Sequence, residues 1–201
     1  MIKILKKKKT LKNNNFFMSS LGNIHFFFID TTFTLPKNIN IDKINNTIFF
    51  KTTLNSLFLT FNKNTNFFIK QNQLLININI DKNKKNFLNL YKKLIKLKIK
   101  GITQGFKISL LIKGIGFKAV IEHNNLILKL GFSHNIVISI PKNINVINQA
   151  NILIFSCSDY VFLHQFVYYI KNHKKPEPYK GKGLLLKNEK ILQKEGKKSK
   201  K

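Results

Sequence analysis

Lys174, Lys175, Lys180 and Lys182 fall within ten residues, KKPEPYKGKG, together with two prolines, a tyrosine, a glutamate and two glycines. Clustered ammonium groups do electrostatic chemistry: they hold a multiply charged anion. Pro176 and Pro178 fix their own φ and push Lys175 and Glu177 out of the α region, so the stretch is predicted to be a stiff strap, extended without a sheet. Gly181 and Gly183 have no Cβ and let the backbone come close to whatever the lysines attract. A phosphate backbone is the partner that suits such a strap. Glu177, the odd residue among the cations, is expected to pair internally with a lysine or a backbone N–H. The competing reading is a solvated basic tail, but a tail has no need of prolines, a tyrosine and glycines in fixed order.

No second constellation competes. The eight carboxylates, Asp30, Asp42, Asp81, Glu122, Asp159, Glu177, Glu189 and Glu195, are scattered singly, so no local motif divides acid and base work or shares a metal. His123 and His134 sit near turns, His164 and His173 in and at the end of a helical segment, and each reads as a turn, packing or phosphate-contacting residue. The single cysteine, Cys157, excludes an intramolecular disulfide and a cysteine-based zinc cage. Gly114-Ile115-Gly116 lacks the third glycine, the following helix and the downstream acid of a dinucleotide fingerprint, and reads as a bend between strands. The pairs Phe16-Phe17, Phe49-Phe50 and Phe67-Phe68 could stack bases but, in a chain with 19 phenylalanines, read as core. No catalytic residue, metal ligand or cofactor site is assigned.

The chain that positions the strap has 201 residues, 43% of them hydrophobic, enough for one ordinary domain or two small ones. Its net charge of +28 rests on 36 basic residues, every one a lysine. Lysine is a point charge without the guanidinium fork, so recognition should rest on phosphates and shape and give up bidentate readout of guanine edges. The crowding of Lys, Asn, Ile and Phe at the expense of Ala, Gly, Val and Trp is the mark of A+T-rich coding and points to an organellar or strongly A+T-biased genome. The basic residues run along the whole chain and do not line one amphipathic helix, which argues against a membrane surface as partner. Phe26 to Ile29 and Ile152 to Phe155 are too short to span a bilayer and read as buried strands. Residues 1–23 read as a basic N-terminal extension in preference to an import signal.

Strand alternation dominates, as in Leu75 to Ile80 and Leu126 to Leu130, with hairpin turns predicted at Asn45-Asn46 and Asn124-Asn125. Helical spacing appears twice: from Phe87 through Leu90, Tyr91 and Leu94, and from Val161 through Leu163, Phe166, Val167 and Ile170, the latter with Ser158 as its predicted N-cap. The fold class is α+β, two small tandem domains joined near Lys100-Gly101, each an antiparallel sheet with one covering helix. The predicted boundaries are 24–100 and 101–180, with 1–23 and 181–201 as basic extensions. Pro-Lys-Asn-Ile-Asn recurs at 36 and 141, but the second copy reaches its helix much sooner, so a colinear duplication does not follow and low complexity accounts for it at least as well.

The decad resembles the signature of the L-six family, the sixth protein of the bacterial-type large ribosomal subunit, in which a basic pair precedes Pro-Glu-Pro-Tyr-Lys-Gly-Lys-Gly; Pro176 to Gly183 match it in full. Gly101 to Phe106, Lys113 to Ala119 and Leu130 to His134 follow the family's order, so the resemblance is colinear from about Gly101 to the end, and thinner upstream, where Leu35 to Ile41 resembles the start of its first domain without the usual glycines. The resemblance implies a structural, non-catalytic constituent of an organellar large subunit, with the mitochondrion as first choice and a plastid-type organelle as the alternative. It implies that large-subunit rRNA is bound close to the sarcin–ricin loop, with neighbouring ribosomal proteins as partners, translation GTPases passing nearby, and no membrane. By residue matching the rRNA contacts are Lys174, Lys175, Tyr179, Lys180, Gly181, Lys182 and Gly183, supported by Lys118, Ser133 and His134 from the Gly114–Lys118 and Gly131–His134 turns. The family's basic pair commonly contains arginine, so Lys174 and Lys175 should hold phosphates without a forked contact. The rival readings are a free-standing organellar RNA-binding or RNA-processing protein and a membrane-surface or cytoskeletal polycation.

Overall fold

The computed structural model describes residues 16–19, 26–29, 31–34, 36, 38–53, 55–62, 65–70, 73–80 and 85–196. The chain divides into two compact units, Met1–Ile99 and Lys100–Lys201. In the first, β1 (Phe16–Ser19), β2 (Phe26–Ile29), β3 (Thr31–Thr34), β7 (Thr65–Lys70) and β8 (Gln73–Ile80) form one antiparallel sheet, with β8 paired to β2, β3 and β7. A separate sheet is built from β4 (Asn40–Ile44), β5 (Thr47–Lys51) and β6 (Ser56–Thr60). β1 pairs along its whole length with β2, so residues 16–19 of the expected N-terminal extension belong to a sheet; its residues 1–15 lie outside the described residues. The reason lies in the Phe16-Phe17-Met18 run, a β-favouring apolar segment that the lysine count of the extension concealed.

α1 (Lys85–Gln104) starts where the helical spacing begins but continues through Ile95, Lys98 and Ile102, all buried. Tyr91 ties it to the end of β6: its ring lies 4.7 Å from that of Phe61, and its hydroxyl accepts the Asn62 N–H at 3.2 Å. The Lys100-Gly101 step, expected to be the join, is helical. A Cβ on Gly101 would fall 2.0 Å from the Ser158 carbonyl oxygen, so the glycine is there to let the last turn of the helix approach another backbone. The helix ends at Gly105, left-handed at φ 69°, whose N–H donates to the Gly101 carbonyl at 3.0 Å.

The second unit also holds two antiparallel sheets. One is β10 (Lys118–Glu122), β11 (Asn125–Lys129) and β12 (Ile136–Ser139) in that order; the other runs β13 (Asn145–Gln149), β14 (Ile152–Cys157), β9 (Phe106–Lys113), β15 (Gly183–Leu186). α2 (Tyr160–His173) packs on β9 and β14 through Leu163, Val167 and Ile170, which close a core with Leu110, Leu153 and Phe155. Three local expectations are corrected. The hairpin turn between β10 and β11 is His123-Asn124 and not Asn124-Asn125, because Asn125 is already paired with Glu122, and it is His123 that takes φ 53°. The N-cap of α2 is Asp159, whose carboxylate accepts the Val161 N–H at 3.1 Å and lies at the positive end of the helix dipole. Residues 181–201 are not simply a tail: Gly183–Leu186 add a fourth strand to the sheet, and Leu184 and Leu185 are buried, since three consecutive leucines are too costly to leave in water. No helix among the described residues is long and apolar enough to cross a membrane.

Candidate nucleic-acid interface

The decad leaves α2 at Lys174, the C-cap residue, and returns to β15 at Gly183. It is a closed loop and not the extended strap of the sequence expectation. Leu184 N–H donates to the Lys174 carbonyl at 3.0 Å, Glu177 N–H to the Lys182 carbonyl at 2.8 Å, and Gly181 N–H to the Glu177 carbonyl at 2.9 Å. The prolines remove donors only at positions the loop does not use, and Gly181 turns the chain at φ 66°. Glu177 therefore holds the loop through its backbone N–H and carbonyl, with its side chain outward. From the other side Lys194 N–H donates to the Pro178 carbonyl at 3.0 Å, so the chain after β15 braces the loop.

The glycines do something other than expected. Gly181 and Gly183 are buried, and they approach their own chain. A Cβ on Gly183 would sit 2.8 Å from both the Lys175 carbonyl oxygen and the Pro176 Cα; one on Gly181 would meet Gln193 Nε2 at 3.4 Å and Ile191 Cδ1 at 3.8 Å. They are withdrawn from the outer side of the loop and set its shape. What the loop presents outward is Lys175, Glu177, Pro178, Tyr179 and Lys180, with Lys182 half-buried behind them; Tyr179 is 55% exposed.

Gly183 is opposite Lys113 in the β15–β9 register, which brings the loop to the point where β9 gives way to the Gly114–Phe117 turn. That turn is closed by a Phe117 N–H bond to the Gly114 carbonyl at 3.3 Å. The Phe117 ring lies in a cradle of two glycines: a Cβ would come within 2.5 Å of the ring at Gly114 and 3.0 Å at Gly131. Lys174 then spans both turns, its ammonium 5.9 Å from the centroid of Phe117 and 4.4 Å from that of Phe132, where the ring faces attract the cation. His134 stacks beside Phe132 at 6.2 Å and 23°.

Three stretches far apart in sequence thus meet at Lys174. Of the residues expected to bind, Lys175, Tyr179, Lys180, Lys118, Ser133 and His134 are exposed, Lys174 and Lys182 half-buried, and Gly181 and Gly183 buried. Lys118 stands at the start of β10 directly opposite Lys129, a second cation that sequence reasoning passed over. Phe117 and Phe132 were missed as well; the signal was the recurrence of Gly-Phe in both turn motifs. Across these segments Glu177 is the single negative side chain, so the arrangement can hold a polyanion by charge and offer Tyr179 and His134 as ring surfaces. Among the described residues no three His, Cys, Asp or Glu side chains come together as a metal site would require.

Two sheet-rich α+β units, one bearing a lysine-rich loop closed by its own backbone hydrogen bonds, make up the described part of the chain. No protein-family model matches the chain. It is 36% identical to large ribosomal subunit protein uL6c of Thalassiosira pseudonana over 84% of this chain and 79% of that protein. It is 34% identical to large ribosomal subunit protein uL6 of Karelsulcia muelleri, over 91% of this chain and all of that protein, and 33% identical to uL6 of Nitratiruptor sp. over 83% and 94%. The chain belongs to the uL6 family of large ribosomal subunit proteins. It is a structural ribosomal protein and not an enzyme.

Proposed function

We propose that the chain is a constituent of an organellar large ribosomal subunit and binds large-subunit rRNA through the outward side of the 174–183 loop, with Lys118, Ser133 and His134 flanking it. The observation that carries this is the convergence on Lys174 of the loop with the Gly114–Lys118 and Gly131–His134 turns. Lysines held on a braced loop neutralise phosphates and release counterions without first having to order the backbone. The resemblance of these motifs to the family's supports a site near the sarcin–ricin loop, where translation GTPases pass. A+T-driven composition supports an organellar genome. The uL6c name of the Thalassiosira relative, a plastid-type designation, favours the plastid-type organelle over the mitochondrion.

Sedimentation of the native protein on a salt gradient tests the assignment. Co-migration with the large subunit, loss of that position after RNase, and recovery from plastid fractions support it; a soluble monomer away from ribosomes after gentle lysis refutes it. The residue-level reading has its own check. Lys175→Ala and Lys180→Ala should each flatten the salt dependence of binding to an rRNA fragment by about 0.7 to 0.9 of a log unit per log unit of salt. Lys51→Ala, in the first unit and already paired with Asp42, should leave the slope unchanged.

A further inference from the structure

The exposed residues of α2 are Val161, Phe162, Gln165, Tyr168, Tyr169 and Asn172, and none of them is charged. In a chain with 36 basic residues that is a local departure: the exposed positions of α1 include Lys93, Lys96 and Lys100. The single lysine of α2, Lys171, is tied up internally, its ammonium 2.6 Å from Glu189 and its side chain 14% exposed. Of the exposed rings, Tyr168 and Tyr169 are held in place. Tyr160, His164 and Tyr168 form a ladder along the helix, with centroids 4.2 and 6.0 Å apart, anchored below by Phe106 at 5.0 Å and above by the Lys171 ammonium 5.6 Å from Tyr168. Tyr169 stands edge-on to His173 at 5.0 Å. Burial lowers the His164 pKa, which disfavours a charge on the ladder.

We propose that this outer face of α2 docks a second, different protein of the same particle, through an uncharged, apolar-centred face of that partner. The charge pattern selects the occupant. Nucleic acid stacked on these rings would bring phosphates to a surface whose exposed residues carry no cation, whereas the known stacking platforms pair rings with a positively charged groove. A second copy of this chain would bring another +28 of charge to the contact. A neutral protein surface meets neither obstacle. Tyrosine and phenylalanine are enriched, and lysine depleted, where protein interfaces are most fully buried. Rings already fixed by their neighbours lose little conformational freedom on docking. The inference does not depend on which rRNA the 174–183 loop contacts.

The test uses the full chain assembled into purified large subunits, with Tyr169→p-benzoylphenylalanine as the photo-crosslinking variant and Lys93→p-benzoylphenylalanine in α1 as control. The expected result is a position-169 adduct that survives RNase, is lost on proteolysis, and contains one other ribosomal protein by mass spectrometry. A second arm replaces the rings by charge. Tyr168→Lys with Tyr169→Lys should lower incorporation into subunits at least tenfold while binding to the isolated rRNA fragment stays within twofold, and Tyr168→Phe with Tyr169→Phe should restore incorporation. An RNase-sensitive adduct, an adduct of two copies of this chain, no adduct, or normal incorporation of the lysine pair overturns the proposal. Should the lysine pair unfold the chain, the adduct, which alters one exposed ring, still decides. Loss of rRNA-fragment binding by Lys175→Ala and Lys180→Ala tests the loop separately.

Discussion

The segments beginning at Pro36 and Pro141 build the same piece of structure at a constant offset, once in each unit. In each, an isoleucine N–H closes a turn onto the proline carbonyl, Ile39 to Pro36 at 3.2 Å and Ile144 to Pro141 at 2.9 Å, and both isoleucines are buried. In each a hairpin follows, β4–β5 or β13–β14, whose connection opens on a residue at φ 51°, Asn45 or Ala150. Ile48 and Phe50 point inward in one, Leu153 and Phe155 in the other. The copies part company in what pairs with the second strand. β5 is joined by β6, on which Phe58 is left 61% exposed, whereas β14 is joined by β9, which in turn carries β15 and the cationic loop. A low-complexity coincidence would not reproduce turn, φ and burial together. The difference shows that local pattern sets the hairpin, and non-local pairing decides whether a functional surface is built on it.

The sharpest way to separate the units is Gly183→Val. Its side chain would meet Lys175 and Pro176 backbone at φ 139°, where overpacking and backbone strain together should cost roughly 2–6 kcal/mol. Amide exchange protection should fall across residues 106–186 and hold across 39–61; an equal loss in both would show that the units do not fold independently. Phe155→Ala and Phe50→Ala probe matched interior positions and should each cost about 3–5 kcal/mol, measured as local exchange protection. A small effect at one of them would mean that the repeated hairpin is not equally load-carrying in the two cores.

The ion pairs sharpen the contrast further. Lys171–Glu189 is 14% and 28% exposed, and Glu189 also accepts the Leu186 N–H at 3.1 Å; Lys51–Asp42 is 51% and 53% exposed. Glu189→Gln should cost about 1.5–3 kcal/mol, the range for hydrogen bonds to charged groups, and Asp42→Asn no more than about 1 kcal/mol. The hydrogen bond from Lys171, aided by the Leu186 N–H and opposed by burial, holds the Glu189 carboxyl below the ordinary value of 4.5. A lowered carboxylate pKa gives stability that is present above the unfolded value and lost as pH falls through the folded one. Acid unfolding of the second unit, begun below about pH 4.5, should therefore lose part of its steepness in Glu189→Gln. The smallest effect separates the two turns. Ala150→Gly should stabilise by about 0.5–1 kcal/mol because alanine is strained at positive φ, while Asn45→Gly should be close to neutral because asparagine tolerates it.

Much of this was legible in residue order. Alternation and helical spacing located β8, β11, α1 and α2, and the decad and its two companion motifs are the segments that converge at Lys174, because period and proline or glycine placement act over a few residues. Helix ends were less so: α1 runs through Lys100-Gly101, since whether a glycine ends a helix depends on what packs against it, here the Ser158 carbonyl. The lysines of the loop, the α+β class and the surplus of positive charge were determined by the sequence itself. Only the tertiary structure decided that Gly181 and Gly183 face inward, that Lys174 is held on the rings of Phe117 and Phe132, and that the leucines after the loop complete a sheet. A glycine looks the same in a string whether it clears a path for a ligand or for its own chain, and the direction in which a missing Cβ would point is set by strands paired across seventy residues.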